Sequence, residues 1–369
     1  MRVEGTHHRS IWLDEETGAL RIIDQTKLPH RFEVRTLADF ESVVEAIRTM
    51  RVRGAPLIGV TAAHGLALGL SADPGDRALT RMANELVATR PTAVNLHWAV
   101  VRLVESVWSL PPEERAAAAR ARAVALCDED VACCEAIGTH GLTLLRELAR
   151  EKSGEPLQIL THCNAGWLAT VDWGTALAPI YKAHREGLPV HVWVDETRPR
   201  NQGASLTAFE LREEGIPHTV IVDNAGGHLM QRGLVDAVLV GSDRTTSTGD
   251  VCNKIGTYLK ALAADANGVP FFVALPTSTI DWTIDDGLEQ IPIEERDAAE
   301  VREIVGRTAE GRLERVALFS AASPVANPAF DVTPARYVTR LVTEEGCFEA
   351  SRPGLAALRA TKEADRDGD

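Results

Sequence analysis

Four short apolar runs, Leu157 to Leu160, His191 to Val194, Thr219 to Val222 and Ala237 to Val240, are rich in β-branched residues. Each predicts a buried strand. Between them Thr175 to Glu186, Ala204 to Glu214 and Gly226 to Arg232 carry apolar residues at helical spacing. Strand and helix alternate, which is the pattern of a doubly wound parallel sheet. In the commonest order for such sheets, 3-2-1-4-5, the first and fourth strands are neighbours and the direction of build reverses between them. The reversal opens a crevice at the carboxyl ends of those strands.

The chain before this alternation reads differently. Short strands are expected around Ile11-Trp12-Leu13, Leu20 to Ile23 and Phe32 to Val34, followed by helices over Phe40 to Met50, Pro56 to Leu70 and Pro91 to Val107. Pro111 to Arg150, rich in Ala, Glu and Arg, predicts a pair of helices. Lys152-Ser153-Gly154-Glu155-Pro156 has linker composition, so a mainly helical amino-terminal domain is expected over residues 1–152 and an α/β domain over 153–369. A chain of 369 residues also exceeds what one hydrophobic core usually supports. Thr277 to Glu300 interrupts the alternation and predicts an excursion with loop structure. Asp331-Val332-Thr333-Pro334 has the form of a helix start, and the charged tail Lys362 to Asp369 is expected to fray.

The crevice is where the chemistry-bearing residues fall. Cys163 follows the first strand in Thr161-His162-Cys163-Asn164-Ala165-Gly166, and Asp243 follows the fourth in Val240-Gly241-Ser242-Asp243-Arg244. Neighbouring strands lie about 4.8 Å apart, so the thiol and the carboxyl face one ligand. Cys163, with His162 beside it, is expected to have a depressed pKa. Asp243, in a cleft with apolar neighbours, is expected to have a raised one and to donate a proton. Arg53-Gly54-Ala55-Pro56 and Arg90-Pro91-Thr92-Ala93-Val94-Asn95 each put an Arg before a Pro-initiated helix, an anion-holding corner. The polar run Asp195 to Gly203 after the second strand, including Gln202, suits sugar hydroxyls or phosphate. Asn253-Lys254-Ile255-Gly256-Thr257 is expected to open the helix after Asp243 and to bring a cation to the same edge.

Composition narrows the ligand. A net charge of -14 opposes non-specific attraction to nucleic acid or anionic lipid, so a bound phosphate must be held locally. No run approaches the roughly 20 apolar residues of a spanning helix, and the start lacks a signal peptide's apolar core. A cytoplasmic protein is expected. Six cysteines are too sparse for a disulfide framework; Cys127, Cys133 and Cys134 with His140 fit no metal spacing and read as helix packing. Neither the glycine fingerprint of a dinucleotide site nor a P-loop follows any strand.

Taken in order, these motifs resemble the methylthioribose-1-phosphate isomerase family. Ile23-Asp24-Gln25-Thr26-Lys27-Leu28-Pro29 and Ile291-Pro292-Ile293-Glu294-Glu295-Arg296 belong to the same likeness, which runs from about Leu20 to about Glu344. It implies a helical amino-terminal part joined to a Rossmann-like domain, a homodimer, and no metal or other cofactor. It implies a sugar-phosphate substrate, 5-methylthio-α-D-ribose 1-phosphate, converted to the ribulose 1-phosphate in methionine salvage. It assigns Asp243 as proton donor, Cys163 as its catalytic partner, and Arg53, Gly54, Ala55, Arg90, Gln202, Asn253 and Lys254 as substrate-binding. Hydrogen moves from C2 to C1 either as a proton through an enediol or as a hydride. Ser242 stands where many relatives have Ala, and Trp167 where the family more often has a small residue, so the Trp167 ring is expected at the pocket end that receives the 5-substituent. A 5-deoxyribose 1-phosphate isomerase or a dual-substrate enzyme is the alternative; the regulatory subunits of the translation-initiation exchange factor look like this fold and act by binding partners.

Overall fold

The computed structural model describes residues 1–90, 93–152 and 154–367, with side chains to residue 363. A hairpin of β1 (Arg2–Val3) and β2 (Thr6–His7) precedes a three-stranded antiparallel sheet, β3 (Ile11–Leu13), β4 (Leu20–Ile23) and β5 (Val34–Leu37). Four helices follow: α1 (Phe40–Arg48), α2 (Ala55–Ala72), α3 (Asp76–Thr89) and α4 (Val94–Val107). Helix α1 starts at a reciprocal capping box between Asp39 and Ser42 and buries Phe40, Val43, Val44 and Ile47 on one face. Helix α2 is apolar all round and nearly all of it is buried, because α1, α3, α4 and the long helix that follows them surround it. By length and composition its 18 residues could cross a membrane; here they are the centre of a helical core that includes Leu57, Leu66 and Leu70.

Where two helices are expected before the sheet, there is one, α5 (Pro112–Ala149), 38 residues long. Its glycines do not break it; they bring α6 (Leu177–Arg185) close. A Cβ on Gly141 would lie 2.4 Å from Pro179 Cγ, and one on Gly138 3.0 Å from Ala178 Cβ. Leu126 of α5 belongs to the helical core, while Ile137, Leu142 and Leu145 belong to the core of the large sheet.

That sheet contains β6 (Leu157–Thr161), β7 (Val190–Asp195), β8 (His218–Ile221) and β9 (Ala237–Val240), with α7 (Ala208–Glu213) and α8 (Ala225–Gln231) between strands. After β9 come β10 (Arg244–Thr246), β11 (Val251–Lys254), α9 (Thr257–Ala266) and β12 (Phe271–Ala274). The chain closes through β13 (Ile280–Asp281), α10 (Gly287–Gln290), α11 (Ala299–Arg302), β14 (Glu303–Arg307), β15 (Leu313–Ala317), β16 (Phe330–Thr333), β17 (Arg340–Thr343), β18 (Gly346–Phe348) and α12 (Arg352–Asp367). The seven-stranded sheet runs β18-β17-β12-β9-β6-β7-β8, parallel except at β18. Read from β8 its first five strands are the expected 3-2-1-4-5, and β6 and β9 are neighbours with Leu160 opposite Val238. The expected burial of the third strand does not hold: β8 is the sheet edge and its central residues Thr219 and Val220 are exposed.

Three other expectations change. Asp331 to Thr333 is strand, because β16 pairs with β11 along four residues, and the helix expected at Pro334 is only a single 3-10 turn, Ala335–Tyr337; the Asp331 carboxylate accepts N–H bonds from Gly256 and Tyr258 at the start of α9. The excursion from Thr277 reaches beyond Glu300 and carries the β14–β15 hairpin. In the tail, α12 continues to Asp367 where fraying is expected, and Gly368 and Asp369 lie outside the described residues.

Candidate active site

The carboxyl ends of β6 and β9 face the amino-terminal end of α2. Helix α2 begins at Ala55, with Gly54 as its cap and Pro56 just inside, so its unpaired N–H groups point toward the sheet. Gly54 has φ +93, and a Cβ there would lie 2.4 Å from the Ala169 carbonyl oxygen. Only glycine lets this corner close on the sheet.

Cys163 has φ +64, a left-handed backbone unusual for its type. Two threonines hold it: Thr197 Oγ1 accepts from the Cys163 N–H at 2.8 Å, and Thr207 Oγ1 donates to the Cys163 carbonyl at 2.7 Å. Next along, Asn164 is gripped by Arg53, whose guanidinium donates to Asn164 Oδ1 at 2.6 Å and to its carbonyl at 2.7 Å. Asn164 Nδ2 donates to Glu210 Oε1 at 2.8 Å. Glu210 is fully buried on α7 and also accepts the N–H groups of Trp167 and Leu168 and the Tyr181 hydroxyl. Sequence pattern gives Glu210 and Thr207 no special mark and Thr197 only a place in the polar run Asp195 to Gly203, since their partners are more than thirty positions away in all three contacts and visible only after folding.

Cys163 and Asp243 line one recess of about 40 Å³ with Arg53, Gly54, Ala55, Ser242 and Asn253. A second recess of similar size holds Gly54, Ala55, Arg90 and Asp243. Arg53 also borders a cavity of about 510 Å³ whose wall contains Gln202. Cys163 and Asp243 therefore sit in narrow recesses beside a space large enough for a small ligand. Burial raises the Cys163 pKa, with Arg53 and Lys254 pulling the other way. Burial likewise raises that of Asp243 against the pull of Lys254, Arg53 and Arg90. Both groups are biased toward their protonated forms. The depressed Cys163 pKa expected from His162 is not found, because that ring points elsewhere: Nδ1 faces Asp195 Oδ2 at 2.9 Å and Nε2 donates to the Ile255 carbonyl at 2.8 Å.

The cations take up distinct positions. Lys254 ends strand β11 rather than opening a helix; Gly256, in a left-handed conformation, caps α9 instead. Buried, with its Nζ donating to the Ala329 carbonyl and lying over the Phe330 ring, Lys254 has a pKa lowered by burial and raised by Cys163 and Asp243. Its neighbour Asn253 donates through Nδ2 to Thr257 Oγ1. Arg90 sits at the carboxyl end of α3, not directly before a Pro-initiated helix: α4 starts at Val94, and Pro91 and Thr92 lie outside the described residues. Arg90 pairs with Glu294 at 3.3 Å, and its Nε has no partner among the described residues. Gln202 is buried with its Oε1 likewise unpartnered.

Trp167 does not reach the pocket. Its ring is buried in the core of the large sheet, because the short helical turn Trp167–Ala169 turns Ala169 and Thr170, not Trp167, toward the recess. Cys127 and Cys134 pack in the cores, Cys127 with its Sγ 3.3 Å from His64 Nε2, and His140 faces the Thr343 carbonyl. The described His/Asp/Glu grouping with metal-like spacing is His162, Asp195 and Asp223. A side-chain cation already serves it: Lys260 Nζ is 2.9 Å from Asp195 Oδ2 and donates to the Asp223 carbonyl.

A helical part thus caps the switch point of a parallel sheet, with an acid, a thiol and several cations at the junction, the place where open α/β sheets bind ligands. The sequence pattern of the Initiation factor 2 subunit family matches residues 51–350. The methylthioribose-1-phosphate isomerase of Rhodospirillum rubrum is 66% identical over 363 residues, covering 97% of this chain and 93% of its own length. That of Methylobacterium nodulans is 63% identical, over 97% of this chain and 98% of its own. Among solved structures, 5-methylthioribose 1-phosphate isomerase from Pyrococcus horikoshii OT3 superposes with a TM-score of 0.81 at 38% identity, over 97% of each chain. Translation initiation factor eIF-2B subunit delta from A. fulgidus does so with 0.77 at 37% identity, over 95% of this chain and 100% of that one. The chain belongs to the Initiation factor 2 subunit family and, within it, to the methylthioribose-1-phosphate isomerases.

Proposed function

We propose that this protein is an aldose-ketose isomerase that converts 5-methylthio-α-D-ribose 1-phosphate to 5-methylthio-D-ribulose 1-phosphate in methionine salvage. The observation that carries the reading is the pairing of Asp243 and Cys163 in one recess at the head of α2, in a chain similar over nearly its whole length to isomerases of that name. The substrate's phosphate caps the anomeric oxygen, so no free aldehyde forms and the ring C1–O4 bond must be broken with acid assistance. Asp243, biased toward its protonated form, donates that proton to O4. Hydrogen then moves from C2 to C1 beside Cys163, and the C2 hydroxyl gives up its proton as the ketone forms; no outside oxidant or reductant is consumed. Arg53, Arg90 and Lys254, with the N–H groups around Gly54 and Ala55, hold the phosphate, and Gln202 and Asn253 bind the sugar. The same reading carries a homodimer in the cytoplasm, open to test by sedimentation of the purified chain.

Turnover of the purified protein with the methylthio sugar phosphate and its 5-deoxy counterpart tests the assignment. Higher kcat/KM for the methylthio compound is expected. A higher value for the 5-deoxy compound would reassign the substrate, and absence of turnover with both would overturn the enzymatic reading.

A further inference from the structure

Gln25 lies in the motif Ile23 to Pro29, to which the assignment above gives no role. It opens a single turn of 3-10 helix, Gln25–Lys27, capped by the Asp24 carboxylate, which accepts the Thr26 N–H and is held by Arg51 at 2.7 Å. The Gln25 backbone N–H donates to the Arg51 carbonyl at 3.0 Å, so the residue is tied to the segment that leads into Arg53. Its side chain is buried, 4% exposed. Nε2 donates to the Leu168 carbonyl at 2.6 Å. Since a carbonyl oxygen only accepts, that bond fixes which end of the amide is nitrogen. Oε1 is the other end, buried and without a partner among the described residues.

Gln25 lines the same cavity as Arg53 and Gln202. A buried acceptor held in place by its own amide nitrogen calls for a donor. The phosphate does not supply one at neutral pH, where its oxygens accept. The hydroxyls of the sugar do, and they differ: O4 is in the ring, the C2 hydroxyl loses its hydrogen in the reaction, and the C3 hydroxyl keeps its own throughout. We propose that Gln25 is a substrate-binding residue whose Oε1 accepts a hydrogen bond from the C3 hydroxyl of the sugar phosphate, a reading that rests on the isomerase assignment above.

The test uses the purified full-length chain, Gln25→Met, and two ligands: 5-methylthioribose 1-phosphate and its 3-deoxy analogue, the latter measured as a competitor. Wild type is expected to bind the analogue about tenfold more weakly than the parent, the effect of one hydrogen bond. Gln25→Met is expected to raise KM for the parent about tenfold with kcat within about twofold, because the contact is equal in ground and transition states, and to bind the analogue as wild type does. Equal weakening of parent and analogue in the variant would assign Gln25 to holding Leu168 and overturn the proposal. So would wild type binding both ligands equally, a comparison that needs no variant. Absence of turnover by wild type would remove the isomerase reading itself.

Discussion

At the level of single residues, the backbone of Cys163 is constrained and its thiol is buried. Cys163 holds a left-handed φ between Thr197 and Thr207, and burial raises its pKa. A serine in its place keeps the two backbone hydrogen bonds but offers a far less acidic and less polarizable group. Cys163→Ser is therefore expected to retain substrate affinity and the fold while losing most of kcat, and substrate should protect the wild-type thiol from alkylation. Full activity in the variant would remove Cys163 from the chemistry. Cys163 and Asp243 are legible in the sequence because each follows a short β-branched run, and a strand end at a switch point is where a ligand binds. The environment that tunes them is not legible. His162 is adjacent to Cys163 in the chain yet turned to Asp195, whereas Arg53 and Lys254, far away in the chain, supply the charge that Cys163 feels.

At the level of elements, helix positions follow the hydrophobic period closely where one face packs on one partner, as in α1. The period fails where an element is buried all round or where polar residues serve another element's end. Helix α2 has no polar face to mark it, and Asp331, read as a helix start, caps α9 from within a strand. The single α5 is the largest such departure, and its cause is testable. Alanine has the higher helix propensity by about 1 kcal/mol, but a Cβ at Gly141 meets the Pro179 ring within 3 Å at two atoms. Gly141→Ala is expected to destabilise the protein by about 1–3 kcal/mol, the usual cost of overpacking, measured by urea unfolding. Stabilisation would mean that α5 and α6 move apart freely.

At the level of the whole molecule, the cores are joined through α5, and the recesses that hold Cys163 and Asp243 lie where the helical part meets the sheet. The helical core also carries a pH sensitivity. His64 is buried, and burial lowers its pKa to about 4 from 6.5. As pH falls below 6.5 the unfolded state binds the proton first, so stability is lost toward pH 4 and is fully present above the unfolded value. Between about pH 7 and about pH 5 wild type should lose about 2 kcal/mol relative to His64→Asn, which cannot titrate there; a difference in unfolding free energy that does not change with pH would contradict this. The helical part, the sheet order and the switch point are readable from strand and helix alternation, while the closure of the site is not, since it depends on Gly54 meeting Ala169 and on Arg53 reaching Asn164. That closure creates the dry setting that biases the Asp243 carboxyl toward its protonated form. The most direct test is a comparison of wild type and Asp243→Asn in which binding of 5-methylthioribose 1-phosphate and formation of the ketose are measured on the same preparations. The amide keeps the shape but has no carboxyl proton to give, so binding near the wild-type value with kcat lower by about 10²–10⁴-fold is predicted; a variant that binds substrate and retains more than about a tenth of wild-type kcat would contradict the account.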